Sequence, residues 1–241
     1  MMSEPWTLTR EMFLSADEAG RLLAGLTRSE ADSPGTGTAV DRIVVETLLL
    51  TGIRNSEFCR LTPADVTLQR AGRRSAGEVT SGVLRVMSSP EERREVRLPR
   101  RLAALLDRYL RGIRPTLKLT GFTQRDPAGP LVPNDRGNFY DRTALYRRVV
   151  RILAAHGLGD RASVQLLRHT YGYLAYLGTG GNLLFVQKQL GHAHPMVTAI
   201  YADFVTFGDA ALANLVDPLA ATTSLENKRP PSHSPRKGAR R

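Results

Sequence analysis

Tyr201 lies near the end of the chain in the stretch LGHAHPMVTAIYADF, nine residues after His192. A tyrosine hydroxyl can act as a nucleophile and form a covalent intermediate when its surroundings activate it. The same side chain could equally be one more aromatic in a small helical core. The stretch alone does not separate these two interpretations, so the choice depends on which other residues the chain brings to Tyr201.

Two arginines are candidates for binding an anion near such a nucleophile. Arg54 stands at the start of a predicted short helix in TGIRNSE. Arg168 follows Gln165 by three residues in QLLRHTYG, so both side chains project from the same helix face. Taken singly, each arginine could be a solvated surface residue. Their value as candidates depends on the motifs around them.

The histidines near Tyr201 have two interpretations of their own. His192 follows a glycine at a predicted helix end, where an imidazole commonly binds the last backbone carbonyls. His192 and His194 form the pair GHAH, but two histidines without a third ligand do not favour a metal site. We therefore expect no metal ion here.

Considered together, these stretches resemble the signature boxes of the tyrosine recombinase (phage integrase) family. That family's pattern is a TGxRxSExxxLxxxDV box, then an HxLRHT helix, then LGH followed nine residues later by a tyrosine. The matching stretches are TGIRNSEFCRLTPADV, LLRHTYGYLAYLGTGGNLLFVQKQLGH and AIYADF. The resemblance extends from roughly Leu14 to Phe204, and several motifs in the right order are far more specific than any one of them.

The resemblance implies a chemical role for each matched residue. Tyr201 would attack a DNA phosphodiester and form a phosphotyrosine, which a DNA hydroxyl later displaces. Arg54 and Arg168 would stabilise the negative charge that grows on the non-bridging oxygens, with His192 as a further hydrogen-bond donor. Glu57 matches the acidic position that holds the family's active site together. This chemistry requires neither a cofactor nor a metal ion.

Two positions depart from the family pattern. Gln165 stands where the family usually has histidine, and glutamine can donate to a phosphate oxygen but cannot accept the proton of a phenol. Ser89 aligns with the hairpin lysine that protonates the departing 5′ oxygen in family members. Arg93 and Arg94 are the nearest cations, and arginine is a poor proton donor. Either these arginines help electrostatically, or water protonates the leaving group, or the enzyme is crippled.

The elements that would position these residues predict a mainly α fold with a small antiparallel β-sheet (α+β), similar to a tyrosine recombinase catalytic domain. Ser15 and Glu18 have the spacing of a capping box at a helix start. Three strand-like pieces, DVTL, GVLRVM and REVRLP, are separated by charged turns and predict the sheet. Helical patterns follow, and several of them are ended by Gly or opened by Pro. They are RRLAALLDRYLRGI, NFYDRTALYRRVVRILAAHGLG, SVQLLRHTYGYLAYLG, NLLFVQKQLG, PMVTAIYADF and a last short one, DAALANLVDPL.

The predicted domain organisation has three parts. Residues 1–13 are an N-terminal extension, residues 14–221 are the catalytic domain, and residues 222–241 are a disordered basic tail. Most family members place a helical core-binding domain before the catalytic domain, whereas here the motif region begins almost at once. This resembles the short members that invert promoter segments, although a fragment or a degraded element remnant would look the same.

Composition and charge point to a polyanionic partner. The 241 residues carry a net charge of +11, and a hydrophobic fraction of 41% supports a real core rather than global disorder. Six of the positive charges lie in the tail and are the predicted DNA-binding residues: Lys228, Arg229, Arg236, Lys237, Arg240 and Arg241. The lone Cys59 excludes an intrachain disulfide and suits a reducing cytoplasm. Neither a secretory segment nor a membrane span is predicted.

These observations support one leading hypothesis and two alternatives. The leading hypothesis is a site-specific recombinase or integrase that breaks and rejoins double-stranded DNA. It would act as a homotetramer that exchanges a C-terminal helix, with or without accessory DNA-bending proteins, in the cytoplasm at the nucleoid. The first alternative is a non-catalytic DNA-binding relative. The second is a type IB topoisomerase, which shares this chemistry but would act as a monomer on any sequence.

Overall fold

The computed structural model describes residues 7–72, 77–89 and 92–205. The chain divides into two units, Met1–Val205 and Thr206–Arg241, and all described residues belong to the first. The predicted last helix DAALANLVDPL and the basic tail lie outside the described residues. The described residues include the stretches that resemble the family boxes.

Three helices precede the sheet. Ser15 caps the first through the predicted capping box with Glu18, because its side chain accepts from the Glu18 amide while the Glu18 carboxylate accepts from the Ser15 amide. The second helix is buried almost throughout and ends at Gly52, whose φ of 64° is left-handed. The bounds are α1 Ala16–Asp32, α2 Thr36–Thr51 and α3 Asn55–Phe58.

The predicted sheet is present as three antiparallel strands in the order β1-β2-β3. Their bounds are β1 Val66–Arg70, β2 Val79–Met87 and β3 Arg93–Leu98. In β3 the residues alternate, so that Arg94, Val96 and Leu98 face inwards while their neighbours are exposed. This alternation directs one arginine of the hairpin towards the interior of the protein.

The chain after the sheet is helical, as predicted, with two differences in length. The helix α5 begins at Arg142 rather than Asn138, because the Asp141 side chain caps it by accepting from the Ala144 amide. The predicted helix PMVTAIYADF is a short helix followed by a 3-10 turn at Ala202–Phe204. The bounds are α4 Arg100–Arg108 with a π-helical turn at Tyr109–Ile113, α5 Arg142–Ala155, α6 Val164–Gly178, α7 Leu183–Leu190 and α8 Met196–Ala199.

Two apolar clusters hold these elements together. The larger cluster surrounds α2 and joins it to α1, the sheet, α4, α5 and α6. The smaller one, here called the Tyr201 cluster, has as its buried members Leu8, Phe13, Val186, Leu190 and Tyr201. In it the Phe13 ring lies 4.6 Å from the Tyr173 ring and 4.9 Å from the Phe204 ring. The segment before α1 therefore packs directly against the segment that carries Tyr201.

The described residues confirm the predicted fold class: a mainly helical protein with a small antiparallel sheet. No helix in the described part of the chain combines the length and apolar character needed to cross a membrane.

Candidate active site

Residues from three separated motifs line one cleft of about 710 Å³, here called the arginine cleft. Arg54 reaches it from the start of α3, Gln165 and Arg168 from α6, and His192 from the turn after α7. A second cleft of about 520 Å³ shares Arg54, Gln165 and Arg168 with the first and extends along the start of α5. The predicted phosphate-binding residues therefore lie together on a groove that continues past them.

Arg168 is the buried member of the arginine pair, with 6% of its surface exposed. Its guanidinium donates to the Gly52 carbonyl at 2.5 Å and to the Leu190 carbonyl at 2.9 Å, at the ends of α2 and α7. Burial and the neighbouring Arg54 lower the pKa of Arg168 to about 10, so it stays charged at neutral pH. Two helix C-termini thus fix a buried positive charge at the wall of the cleft.

Arg54 is the exposed member, with 42% of its side chain accessible. Its guanidinium donates to the Gly191 carbonyl at 3.2 Å and to the Glu57 carboxylate at 3.1 Å. Glu57 is 2% exposed and also accepts from the Arg54 backbone amide at 2.7 Å. The predicted supporting role of Glu57 is compatible with these contacts, because they hold Arg54 in place.

The hairpin between β2 and β3 contributes a second partner for this carboxylate. Arg94 donates to both Glu57 oxygens, at 2.6 and 2.9 Å, and to the Gln189 carbonyl at 3.1 Å. Burial opposes ionisation of Glu57, but the hydrogen bonds and charge of Arg94 outweigh it and lower the pKa of Glu57 to about 2. Ser88 at the hairpin turn also donates to Glu57, at 2.9 Å.

The three uncertain hairpin residues therefore differ in position. Arg94 is 11% exposed in its side chain and binds Glu57, whereas Arg93 is exposed on the opposite face of β3. Ser89 lies in the turn, where its hydroxyl accepts from the Glu92 amide at 3.1 Å. Arg94 is thus an electrostatic and structural member of the site, and its guanidinium is not a practical proton donor.

His192 is oriented by a residue that the sequence reasoning missed. Its Nδ1 lies 2.8 Å from the hydroxyl of Thr198, which is fully buried in α8. Because Nδ1 has this partner, Nε2 is the ring nitrogen left for a ligand in the cleft. Burial, then Arg168 and Arg54, lower the pKa of His192 to about 4, so the ring is neutral at pH 7 and can donate one hydrogen bond.

Tyr201 is only 1% exposed and lies against α6. A Cβ added at Gly172 would come 2.1 Å from the Tyr201 Cζ atom, so the ring occupies the space that this glycine leaves. The Tyr201 hydroxyl lies 3.2 Å from Nδ1 of His169, a residue of the arginine cleft. Burial raises the pKa of Tyr201 to about 12, although the charge of Arg168 opposes this rise.

This arrangement is suited to binding a phosphate beside a phenol. Arg54 and Arg168 supply fixed positive charge, and His192 supplies a neutral donor. Tyr201 is not among the residues that line the cleft, but its hydroxyl contacts His169, which is. Within the described ranges, no group of three or more His, Cys, Asp or Glu side chains is placed to hold a metal ion.

Four residues near the site were missed or left without a role: Arg94 as the partner of Glu57, Thr198, His169 and Gly172. The alternation of β3 contains the signal for Arg94, which shares a face with Val96 and Leu98. His169 and Gly172 follow Gln165 by four and seven residues, the spacing of one helix face. Nothing in the sequence marks Thr198, because its contact with His192 depends on the short helix α8.

Comparison with known proteins identifies relatives of this chain. Tyrosine recombinase XerD of Pseudomonas putida is 31% identical over 182 residues, which cover 72% of this chain and 55% of that protein. Tyrosine recombinase XerC of Thermodesulfovibrio yellowstonii is 28% identical over 190 residues, covering 78% of this chain and 56% of that protein. The chain thus spans about half the length of the curated relatives it matches.

Solved structures share the fold. The XerH site-specific recombinase in its pre-cleavage complex with difH substrate matches with a TM-score of 0.65 and 22% identity, covering 89% of this chain and 55% of that one. The XerA recombinase matches with a TM-score of 0.62 and 23% identity, covering 95% of this chain and 68% of that one. The model of the phage integrase family matches residues 12–205, which include every motif that lines the arginine cleft. The chain belongs to the phage integrase family.

Proposed function

We propose that this protein is a tyrosine-type site-specific recombinase that breaks and rejoins double-stranded DNA through a 3′-phosphotyrosine on Tyr201. The observation that carries the proposal is the convergence of Arg54, Arg168 and His192 on one cleft, with the Tyr201 hydroxyl beside it. Each belongs to a different motif, and a structural role alone would not require them to share a cleft. In this proposal the arginines and His192 bind the non-bridging oxygens of the scissile phosphate.

Double-stranded DNA is the proposed substrate. The structural neighbours include XerH bound to a palindromic difH substrate in a post-cleavage complex and a lambda integrase dimer bound to a COC′ core site. The groove that continues from Arg54 along α5 carries Arg142, Thr143 and Tyr146, which suits a duplex that extends past the scissile phosphate. The six basic residues of the tail would add affinity for any DNA sequence.

The proposed assembly is a homotetramer on two DNA sites in which each subunit lends a C-terminal helix to a neighbour. An apolar cleft of about 370 Å³ supports this part of the proposal, since Leu49, Leu98, Tyr171, Leu174 and Phe185 line it. The segment DAALANLVDPL, the proposed helix, carries apolar residues that match such a cleft. Accessory DNA-bending proteins and a location at the nucleoid in the cytoplasm belong to the same proposal.

A nicked suicide substrate tests the reaction. Its sequence would come from the DNA flanking the gene or from selection of bound sites in a random duplex library. The nick releases a short fragment after cleavage, so that the covalent complex accumulates and migrates more slowly on a denaturing gel. The wild-type protein should form this complex, and Tyr201→Phe should bind the same DNA without forming it.

One competing function has support from the chain. Ser89 and Gln165 replace residues that handle protons in the family, which favours a DNA-binding relative without turnover. Tight, sequence-specific binding by the wild-type protein without any covalent complex would establish that alternative. Relaxation of supercoiled plasmids of any sequence by a monomer would instead indicate a type IB topoisomerase.

A further inference from the structure

One face of α6 carries residues that line the arginine cleft and residues that contact Tyr201. Gln165, Arg168, His169 and Gly172 have the spacing i, i+3, i+4 and i+7, which aligns side chains along one side of a helix. The first three line the arginine cleft, and the fourth lies under the Tyr201 ring. His169 therefore projects into the cleft one helical turn after Gln165.

His169 places a basic atom within hydrogen-bond distance of the proposed nucleophile. The His169 Nδ1 atom lies 3.2 Å from the Tyr201 hydroxyl oxygen, and the ring centroids are 6.3 Å apart. The Tyr201 ring packs against the backbone of α6 at Gly172, where an added Cβ would come 2.1 Å from its Cζ atom. This packing fixes the hydroxyl beside His169.

We infer that His169 accepts the proton of the Tyr201 hydroxyl when the phenol attacks the scissile phosphate. The inference rests on the proposed function and assigns a further catalytic residue to it. In the step, the bond between the Tyr201 oxygen and phosphorus forms while the bond between phosphorus and the 5′ oxygen breaks. The phenol proton passes to His169 Nδ1, and the departing 5′ oxygen takes a proton from water. During rejoining, the imidazolium returns its proton to Tyr201.

The neighbouring candidates are less suited to this task. Gln165 has no basic atom. His192 binds the Thr198 hydroxyl through Nδ1, and its Nε2 is assigned to the phosphate as a hydrogen-bond donor. Burial, then the charge of Arg168, lower the pKa of His169 to about 4, so its ring is neutral and keeps a lone pair at pH 7. A DNA phosphate bound to Arg168 would offset that positive charge and strengthen His169 as a base.

The test compares His169→Asn with the wild-type protein. The asparagine amide places a polar atom near the position of Nδ1, so it can keep the hydrogen bond to Tyr201 but cannot take its proton. Single-turnover formation of the covalent complex on the suicide substrate should slow by roughly 10²–10⁴-fold at pH 7, with DNA binding unchanged. Measured from pH 4 to pH 8, the wild-type rate should decrease towards the acid end as His169 takes up a proton, and this decrease should disappear in the variant.

A second variant separates proton transfer from positioning. In Gln165→His/His169→Asn, a histidine one turn away on the same face restores a base, and the rate should recover by about tenfold or more. His194→Ala is the control variant. It removes an exposed histidine from the same region and should cleave DNA at the wild-type rate. Thermal unfolding checks that each variant is folded.

Several outcomes would overturn the inference while leaving the proposed function intact. One is a wild-type protein that forms the covalent complex together with an equally fast His169→Asn variant. Another is a slow His169→Asn variant whose rate still decreases towards acid pH and does not recover when Gln165→His is added. In that case His169 would only position Tyr201. A wild-type protein that forms no covalent complex would instead contradict the proposed function itself.

Discussion

At the scale of single residues, the two arginines of the cleft differ in burial and in the number of buried carbonyls that they bind. Arg168 is 6% exposed and binds the carbonyls of Gly52 and Leu190, whereas the Arg54 side chain is 42% exposed. Both bring positive charge to the same cleft, but only Arg168 also satisfies two buried carbonyls. Substitutions at the two positions should therefore have different side effects.

We predict that Arg54→Ala and Arg168→Ala each slow cleavage by about 10²–10³-fold, because each removes charge that stabilises the transition state. Arg168→Ala should also destabilise the fold by roughly 1–3 kcal/mol, since it leaves buried carbonyls without partners. Single-turnover cleavage and chemical denaturation measure the two effects. Equal losses of stability in both variants would contradict the difference in their burial.

The hairpin without a lysine leads to a prediction about the leaving group. Arg94 is bound to Glu57 and Arg93 is exposed on the opposite face of β3, and a guanidinium is a poor proton donor in either place. A substrate whose bridging 5′ oxygen is replaced by sulfur needs little protonation and should be cleaved roughly 10²–10⁴-fold faster than normal DNA. Ser89→Lys should accelerate only the oxygen substrate. Equal wild-type rates on both substrates would mean that a donor exists or that another step limits the rate.

At the scale of elements, α6 is the helix against which the Tyr201 ring packs. Its face carries Arg168 and His169 and leaves a gap at Gly172 that the Tyr201 ring fills. Burial of that ring also connects α6 with α7 and with the segment before α1 through the Tyr201 cluster. Small changes in this helix should therefore affect both the position of Tyr201 and the packing of the Tyr201 cluster.

We predict that Gly172→Ala displaces Tyr201, because the new methyl group would stand 2.1 Å from its Cζ atom. Cleavage should fall by about 10²-fold, as expected for a reacting group misplaced by about 1 Å. Gly178→Ala is the matched control, since it adds a methyl group to the same helix with no atom within 4 Å. If Gly172→Ala cleaves DNA at the same rate as Gly178→Ala, the reaction does not depend on the packing of Tyr201 against Gly172.

Helices and strands were predicted correctly from the sequence where residues close in sequence determine them. The capping box of Ser15 and Glu18 and the alternation of the strands involve neighbours in sequence, and both are present in the fold. The start of α5 was wrong by four residues because the cap is Asp141, within the predicted segment. The helix around Tyr201 was too long, because tertiary packing of the buried ring replaces regular helical continuation.

The site was less predictable wherever a contact joins distant segments. The pairing of Arg94 with Glu57 spans 37 positions, and the contact of His169 with Tyr201 spans 32. A single sequence gives residue types and spacing for each motif, but these pairings depend on how the hairpin and α6 pack. The family pattern located the motifs. The hydrogen bonds between their side chains depend on tertiary packing, which the sequence pattern does not give.

At the scale of the whole molecule, buried titratable groups should make stability depend on pH. Burial, then Arg168, lower the pKa of both His169 and His192 from the usual 6.5 to about 4. Between these values the unfolded chain binds more protons than the folded one, so stability is lost as the pH falls from 6.5 to 4. Glu57, with a pKa of about 2 instead of 4.5, adds a loss that begins only below pH 4.5.

We predict that His169→Asn reduces the proton uptake on unfolding near pH 5 by up to about one proton. Urea denaturation of both proteins at pH 7, 6 and 5 gives the free energy of unfolding and its slope with pH. The wild-type slope should be the steeper of the two in this range. Identical slopes would contradict the neutral, part-buried state of His169.

The proposed reaction requires that Tyr201 itself carries the DNA as a covalent phosphotyrosine. Trapped covalent complex from the suicide substrate can be digested with nuclease and protease, and the remaining nucleotide located by tandem mass spectrometry. Our account predicts a 3′-linked nucleotide on Tyr201 in the wild-type protein and no modified peptide from Tyr201→Phe. A nucleotide attached to any other residue, or a trapped complex that survives in Tyr201→Phe, would contradict it.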